Sequence, residues 1–295
     1  MRAKIERYKS CVRCIYDESV WSRWMVDGRP LQMVFHQCRT RVPYISLRTF
    51  WVQFKRRHDI ASSKIASPLI LRITAIFHED YALESTIVHE NLTQFGREQG
   101  IQIQVEFVLL QTFEILSFKA VKFLDGEKTA VLLSPEIFRR FGSDENASAF
   151  LLDVQSVSPI VVVFVDGEGW TEAAVESSFR CVVVNSLEFY VMMMESLDAS
   201  VVGGGKEWVK RIEMMHLRPK ILVAVEGCGR RISPWKDMFH GAGLKPVQLS
   251  RFAEFHAECL LAKSQVRGFH VAKREAELVL CWHERAMVAT SAWRC

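Results

Sequence analysis

The rhythm of hydrophobic and polar positions divides this chain into an irregular front and a regular body. From Pro68 onward, Leu69 to Phe77 reads as a strand. Ser85 to Gln99 reads as a helix with Val88, Leu92 and Phe95 on one face and Gly100 placed to end it. Ile101, Ile103, Val105, Phe107 and Leu109 then alternate strictly, which is the period of a strand. Phe113 to Phe123 reads as a helix, Asp125-Gly126 as a turn, Thr129 to Leu133 as a short strand and Ala147 to Val157 as another helix. Pro159 introduces Ile160 to Val165, apolar on both faces, as a central parallel strand covered by helices on each side should be.

The second half continues the alternation. Phe179 to Ala199 places Val183, Leu187, Tyr190, Met194 and Leu197 on one helical stripe. Gly203 to Gly205 reads as a flexible turn, Trp208 to Met215 as a helix and Lys220 to Val225 as a buried strand. Trp235 to Ala242 is a helix stopped by Gly243, Pro246 to Leu249 is extended, and Phe252 to Lys263 is the last helix. Two apolar runs then flank the polar break His283-Glu284-Arg285, the pattern of an antiparallel hairpin. Leu278, Leu280 and Trp282 share one face of its first strand, and Val279 and Cys281 share the other, so both faces should be buried.

Strand and helix alternate through some six units and end in a hairpin. That order predicts an α/β fold with a mostly parallel sheet, helices on both faces and an antiparallel C-terminal finish. It is the layout of a Rossmann-like, methyltransferase-like sheet.

Residues 1–65 lack this order. Trp21, Trp24 and Trp51 keep no steady period, and Leu31 to Phe35 is the one strand-like run. Charge separates the same segment. Residues 1–60 hold 13 Lys and Arg against 5 Asp and Glu, a charge of +8, while the rest holds 25 against 29, a charge of −4. A mildly acidic body argues against a DNA-gripping basic surface over most of the chain. The longest wholly apolar run, Ile160 to Val165, is far short of the ~20 residues that span a bilayer. The first residues have no apolar core of a secretory signal, so the eight cysteines read as reduced thiols.

Candidate chemistry is sparse. Asp166-Gly167-Glu168-Gly169 follows the most buried strand, where open α/β sheets place ligands. Asp166 and Glu168 there suit a metal or a ribose, against the plainer reading of a polar turn. Position 172 is Glu, so the dinucleotide fingerprint fails. Gly203-Gly204-Gly205-Lys206 follows a predicted helix and has Glu207 where a phosphate loop needs Ser or Thr. Cys11, Cys14, His36 and Cys38 have zinc-ligand chemistry, but the second pair is closer than finger spacing, and unpaired thiols are the default. Cys228 has no base near it in sequence. His240, His256 and His270 stand singly, without partner spacing.

Three blocks resemble the plant GRAS family of transcriptional regulators. His89-Glu90-Asn91-Leu92 to Phe107 resembles its second leucine-rich region. Phe179 to Ala199, with Phe189-Tyr190, followed by Glu226-Gly227, resembles its PFYRE block, although Ser178 stands where the leading proline should be. Trp235-x7-Gly243, Leu280-x-Trp282 and Ser291-Ala292-Trp293 match the pairs of its SAW block. Arg267 to Arg274 looks closest to scarecrow-like members near the HAIRY MERISTEM branch.

The resemblance implies a partial GRAS domain over 66–295 behind a basic segment 1–65. It implies a nuclear regulator of transcription and development with no enzymatic activity and no cofactor. Its partners would be DNA-binding transcription factors and other family members, as homo- or heterodimers, with direct DNA binding left open. The family's first leucine-rich region and VHIID block, which supplies the first central strand, are not recognisable in 1–65. The expectation is a chain truncated or divergent at its N-terminus that has lost that strand. The alternatives are a methyltransferase-like small-molecule binder near Asp166 and Glu168, or a shortened member without function.

Overall fold

A computed structural model describes residues 31–36, 70–77, 82–100, 102–141, 143–167, 179–200, 207, 209–210, 213–214, 218, 235–264 and 266–295. The strands are β1 (Leu31–His36), β2 (Ile70–Phe77), β3 (Gln102–Leu109), β4 (Lys128–Leu133), β5 (Val161–Gly167), β6 (Lys245–Pro246), β7 (Phe269–Arg274), β8 (Glu277–Trp282) and β9 (Arg285–Arg294). The helices are α1 (Ala82–Gln99), α2 (Leu110–Leu116), α3 (Pro135–Phe141), α4 (Asp144–Ser156), α5 (Phe179–Ser200), α6 (Trp235–Gly241) and α7 (Arg251–Ser264).

Among the described residues the strands form one sheet in the order β3-β2-β1-β4-β5-β9-β8-β7, with β6 paired to β9. β1 to β5 are mutually parallel, and β9, β8 and β7 run antiparallel. The expected mostly parallel sheet with an antiparallel finish is present. β5 is the seam: it pairs parallel with β4 and antiparallel with β9.

One expectation is overturned. The first central strand is not lost, because Leu31–His36 lies between β2 and β4 and pairs with both. Leu-Gln-Met-Val-Phe-His hides this role. Gln32 is fully buried, and its carboxamide donates to the Lys122 carbonyl at 2.8 Å and to Thr74 Oγ1 at 3.4 Å. An amide bonded to a partner ninety positions away leaves no local trace.

The two faces of the sheet follow from strand alternation. Val34, Ile76, Val131, Leu133, Val162, Phe164 and Trp293 share one face with side chains of α2, α3, α4 and α6. Leu71, Ile73, Ala130, Val161, Val163 and Ala292 share the other with Leu92 and Phe95 of α1 and Ala253 of α7. β3 is an edge strand, so its apolar side chains are only half-buried at Ile103, Val105 and Phe107.

Helix ends depart from the sequence reading where capping decides them. The helix expected over Phe113 to Phe123 is α2, which stops at Leu116 and is followed by a 3-10 turn at Ser117–Ala120. Ser117 adopts φ +50°, and its N–H donates to the Phe113 carbonyl, ending the helix without Gly or Pro. α4 begins at Asp144, earlier than expected. Ser143 accepts from the Asn146 N–H, and Asp144 and Glu145 complement the helix dipole. α3 has no counterpart in the sequence reading. The readings at Gly203 to Gly205, Trp208 to Met215 and Lys220 to Val225 fall wholly or mostly outside the described residues.

α5 corrects a core assignment. Tyr190 and Leu197 are buried and Val183 and Met194 half-buried, but Leu187 is 50% exposed. Ser186, Ser196 and Ser200 take inward positions instead. The Ser196 hydroxyl donates to the Met193 carbonyl and that of Ser200 to the Ser196 carbonyl. Serines satisfied by their own helix can face a core, which apolar counting misses.

Candidate functional site

β5 ends at the position where an α/β sheet would present chemistry. Asp166 is 2% exposed there, and Trp235 Nε1–H of α6 donates to its Oδ2 at 2.7 Å. The Trp235 ring lies 4.4 Å from that of Phe164 and 5.9 Å, edge-on, from that of Trp293. Asp166 thus acts on an indole from another element. Glu168 lies outside the described residues.

Register explains the three residues Ser291-Ala292-Trp293. Ser291 pairs with Phe164, Ala292 with Val163 and Trp293 with Val162. Ser291 and Trp293 therefore face α6, and Ala292 faces α7. Trp293 Nε1–H donates to Ser291 Oγ at 2.9 Å, and its ring packs 4.9 Å from Phe239 and 5.1 Å from His240. The small Ala292 sits fully buried on the opposite face.

The Trp235-x7-Gly243 spacing measures one short helix with its stop. Gly243 has φ +78°, its N–H donates to the His240 carbonyl, and Leu244 N–H reaches back to the Phe239 carbonyl. That pair of bonds is a Schellman ending, with Leu244 and Phe239 buried together. A side chain at Gly243 would start 3.2 Å from Gln155 Nε2.

α6 is held to the hairpin by charge as well. Glu277, 3% exposed at the start of β8, receives the Arg274 guanidinium at 2.8 and 3.0 Å and lies 3.0 Å from Lys236 Nζ. At the far end of the hairpin, Leu280 packs with Ala257 and Leu261 of α7. Trp282 packs with Met192 of α5, Met287 and, at 4.8 Å, the ring of Phe269. Gly268 (φ +103°) lies flat on that indole, where an added Cβ would stand 2.6 Å from a ring carbon. Phe189 and Tyr190 pack edge-on at 5.7 Å on α5. Phe189 packs on both the Trp282 cluster and the cluster of Tyr190 and Leu197. Glu226 lies outside the described residues.

Sequence reasoning missed a second polar cluster, at the opposite end of the parallel strands. Arg72 is 3% exposed, and its guanidinium donates to Glu127 Oε2 at 2.8 Å and to the Lys122 carbonyl at 2.7 Å. Glu106 stands 3.5 Å away. The Arg72–Glu127 bridge passes over β1, which lies between β2 and β4, and Gln32 shares the Lys122 carbonyl beneath it. Arg72 inside the run Ile70 to Phe77 was the available signal.

No group of three or more metal-ligating side chains occurs among the described residues. Cys11, Cys14, Cys38 and Cys228 lie outside them. Cys281 is buried, and burial pushes the Cys295 thiol up, away from the reactive thiolate. No helix among the described residues is long and apolar enough to cross a membrane.

The buried partners of Asp166, Ser291, Trp235, Trp293 and Gly243 are packing and capping partners, and all five lie inside a stretch with known relatives. The model of the GRAS domain family matches residues 56–294. This chain belongs to the GRAS family. It is 55% identical over 261 residues to Scarecrow-like protein 15 of Arabidopsis thaliana, across 85% of this chain and 53% of that protein. It is 30% identical to Scarecrow-like protein 27 of the same plant, across 72% of this chain and 32% of that protein. DELLA protein RGL1 is 27% identical, across 69% and 40%. The chain spans about half the length of Scarecrow-like protein 15 and less of the other two.

The crystal structure of SCL7 in Oryza sativa matches 99% of this chain and 83% of its own, with a TM-score of 0.75 and 21% identity, which shows a shared GRAS fold. β1 lies before the part matched by the family model, yet it completes the sheet.

Proposed function

We propose that this GRAS chain is a non-enzymatic regulator of transcription in plant nuclei. It acts through contacts with DNA-binding proteins and with other GRAS chains, and it serves development. One observation carries the reading. Asp166, the side chain best placed for chemistry, is buried and holds Trp235, so the strand end supports a helix. The scarecrow-like and DELLA relatives agree with a regulatory role. The acidic balance of the chain after residue 60 favours recruitment by a DNA-bound protein over a direct grip on phosphates.

A reporter assay in plant protoplasts tests this. The chain should alter transcription from a promoter only where a DNA-binding partner occupies it. An equal response from a promoter stripped of that partner's site would overturn the reading.

A small-molecule role has one observation in its favour. Strand order reverses between β1 and β4, the switch point at which open α/β sheets bind ligands. Calorimetry with S-adenosylmethionine decides it, and saturable heat would establish the second reading.

A further inference from the structure

β7 ends the sheet, and no strand among the described residues pairs with its far side. Register decides which of its peptide groups point there. Phe269 lies opposite Trp282, so Gly268 lies opposite His283, and the His283 N–H donates to the Gly268 carbonyl at 2.7 Å. Antiparallel pairs alternate between hydrogen-bonded and non-hydrogen-bonded. Stepping by twos from Gly268, the peptide groups of His270, Ala272 and Arg274 turn to β8. Those of Phe269, Val271 and Lys273 turn to the open edge. On the α7 side, Phe269 and Val271 are half-buried against Ala257 and Leu261. On the other side His270 and Arg274 are exposed.

Charge on an edge strand ordinarily keeps other strands away. Here the charge has one sign. Residues 259–274 hold four Lys and Arg and no Asp or Glu. Arg267, Lys273 and Arg274 are exposed. Beyond the strand, Glu275 is exposed in the turn, while Glu277 is shared by Arg274 and Lys236, a group that stays net positive. The opposite edge of the sheet differs, since β3 carries Gln102, Gln104 and Glu106 and no cation.

We infer that the β7 edge is a docking strand for an acidic, extended segment of a partner protein, which joins the sheet as a further antiparallel strand. Main-chain bonds to Phe269, Val271 and Lys273 hold it. Its alternate apolar side chains continue the row of Phe269 and Val271 beside α7, and its carboxylates fall on the side of His270 and Arg274. Arg267 and Lys273 attract it from the two ends of the strand. A second β7 in that place would bring the same cations together, so the charges select an acidic strand over a second copy.

This rests on the partner-based function proposed above, but purified chain and a synthetic peptide test it apart from any reporter. The probe is a fluorescein-labelled peptide of about eight residues that alternates glutamate and valine, the length of an ordinary strand. Anisotropy should show saturable binding that weakens with salt. Residue-resolved amide exchange should slow on binding at Phe269, Val271 and Lys273, while His270 and Ala272 are already slow in the free chain. Val271→Pro removes an outward N–H and spares the ladder to β8, so binding should be lost and the fold kept. Ala272→Pro breaks a ladder bond and should lower the thermal midpoint further. Arg267→Glu combined with Lys273→Glu changes two exposed side chains, which keeps the test open should Val271→Pro fail to fold. It should weaken binding about tenfold with the thermal midpoint near the parent's. Absence of saturable binding, protection without the alternation, or undiminished binding by a folded Val271→Pro or by the charge-reversed variant would each overturn the inference. So would edge amides that gain protection as the chain alone is concentrated, because a second copy would then fill the edge.

Discussion

Trp235 Nε1–H donates to Asp166 Oδ2 at 2.7 Å across 69 positions of sequence, in a site closed to water. The bond ties α6 to the carboxyl end of β5. Trp293 packs on the same indole, its ring nearly perpendicular at 5.9 Å. The signature residues of the GRAS C-terminus are thus parts of one joint between a strand, a helix and the last strand of the sheet.

Asp166→Ala leaves the indole N–H buried without its acceptor. The expected cost is about 1–3 kcal/mol. Trp235→Phe removes the donor and keeps most of the ring, so the double variant should cost less than the two single changes added together. Thermal melts of the three proteins check this, and strict additivity would show that the bond carries no coupling.

Trp293→Ala removes a ring packed on Trp235, Phe239 and His240. The loss should be about 3–5 kcal/mol. Denaturant unfolding gives the number, and an unchanged midpoint would refute the joint.

Gly268 and Gly243 should differ as sites for alanine. Both have positive φ, so each substitution carries about 1–2 kcal/mol of backbone strain. At Gly268 the new methyl also overlaps the Trp282 ring, whereas at Gly243 it meets the end of the flexible Gln155 side chain. Gly268→Ala should therefore be the more destabilising of the two, and the reverse order would contradict the packing.

Much of the fold was legible because its signals are local. The alternation in β3, the continuous apolar run of β5 and the two runs of the hairpin each announce a strand within eight or so residues. Other features were hidden because their partners are distant. Gln32 reads as polar, yet it sits fully buried in a central strand under the Lys122 carbonyl. Ser117 ends α2 by a left-handed turn that no Gly or Pro marks. Leu187 fits an apolar stripe but faces water, since serines satisfied within α5 take inward positions. At the candidate site, the strand-end position of Asp166 was visible, and its bond to Trp235 was not.

The Arg72 bridge gives a prediction at the other end of the sheet. Arg72→Met strands the Glu127 carboxylate, whose side chain is 6% exposed, and should cost about 3–5 kcal/mol. Adding Glu127→Gln should recover part of that loss, because a neutral amide is cheaper to bury than an unpaired charge. Amide exchange should quicken first in β1, which lies beneath the bridge. Exchange that quickens equally in β7 would contradict a local clamp.

The central claim is that this GRAS chain reaches genes through other proteins. Fluorescence anisotropy of a labelled random duplex pool, titrated with the purified chain between about 50 and 200 mM salt, tests it most directly. The account predicts no saturable binding by the chain alone, and a rise once a DNA-binding partner is added. Saturable binding by the chain alone that collapses by about a thousandfold over that salt range would contradict it.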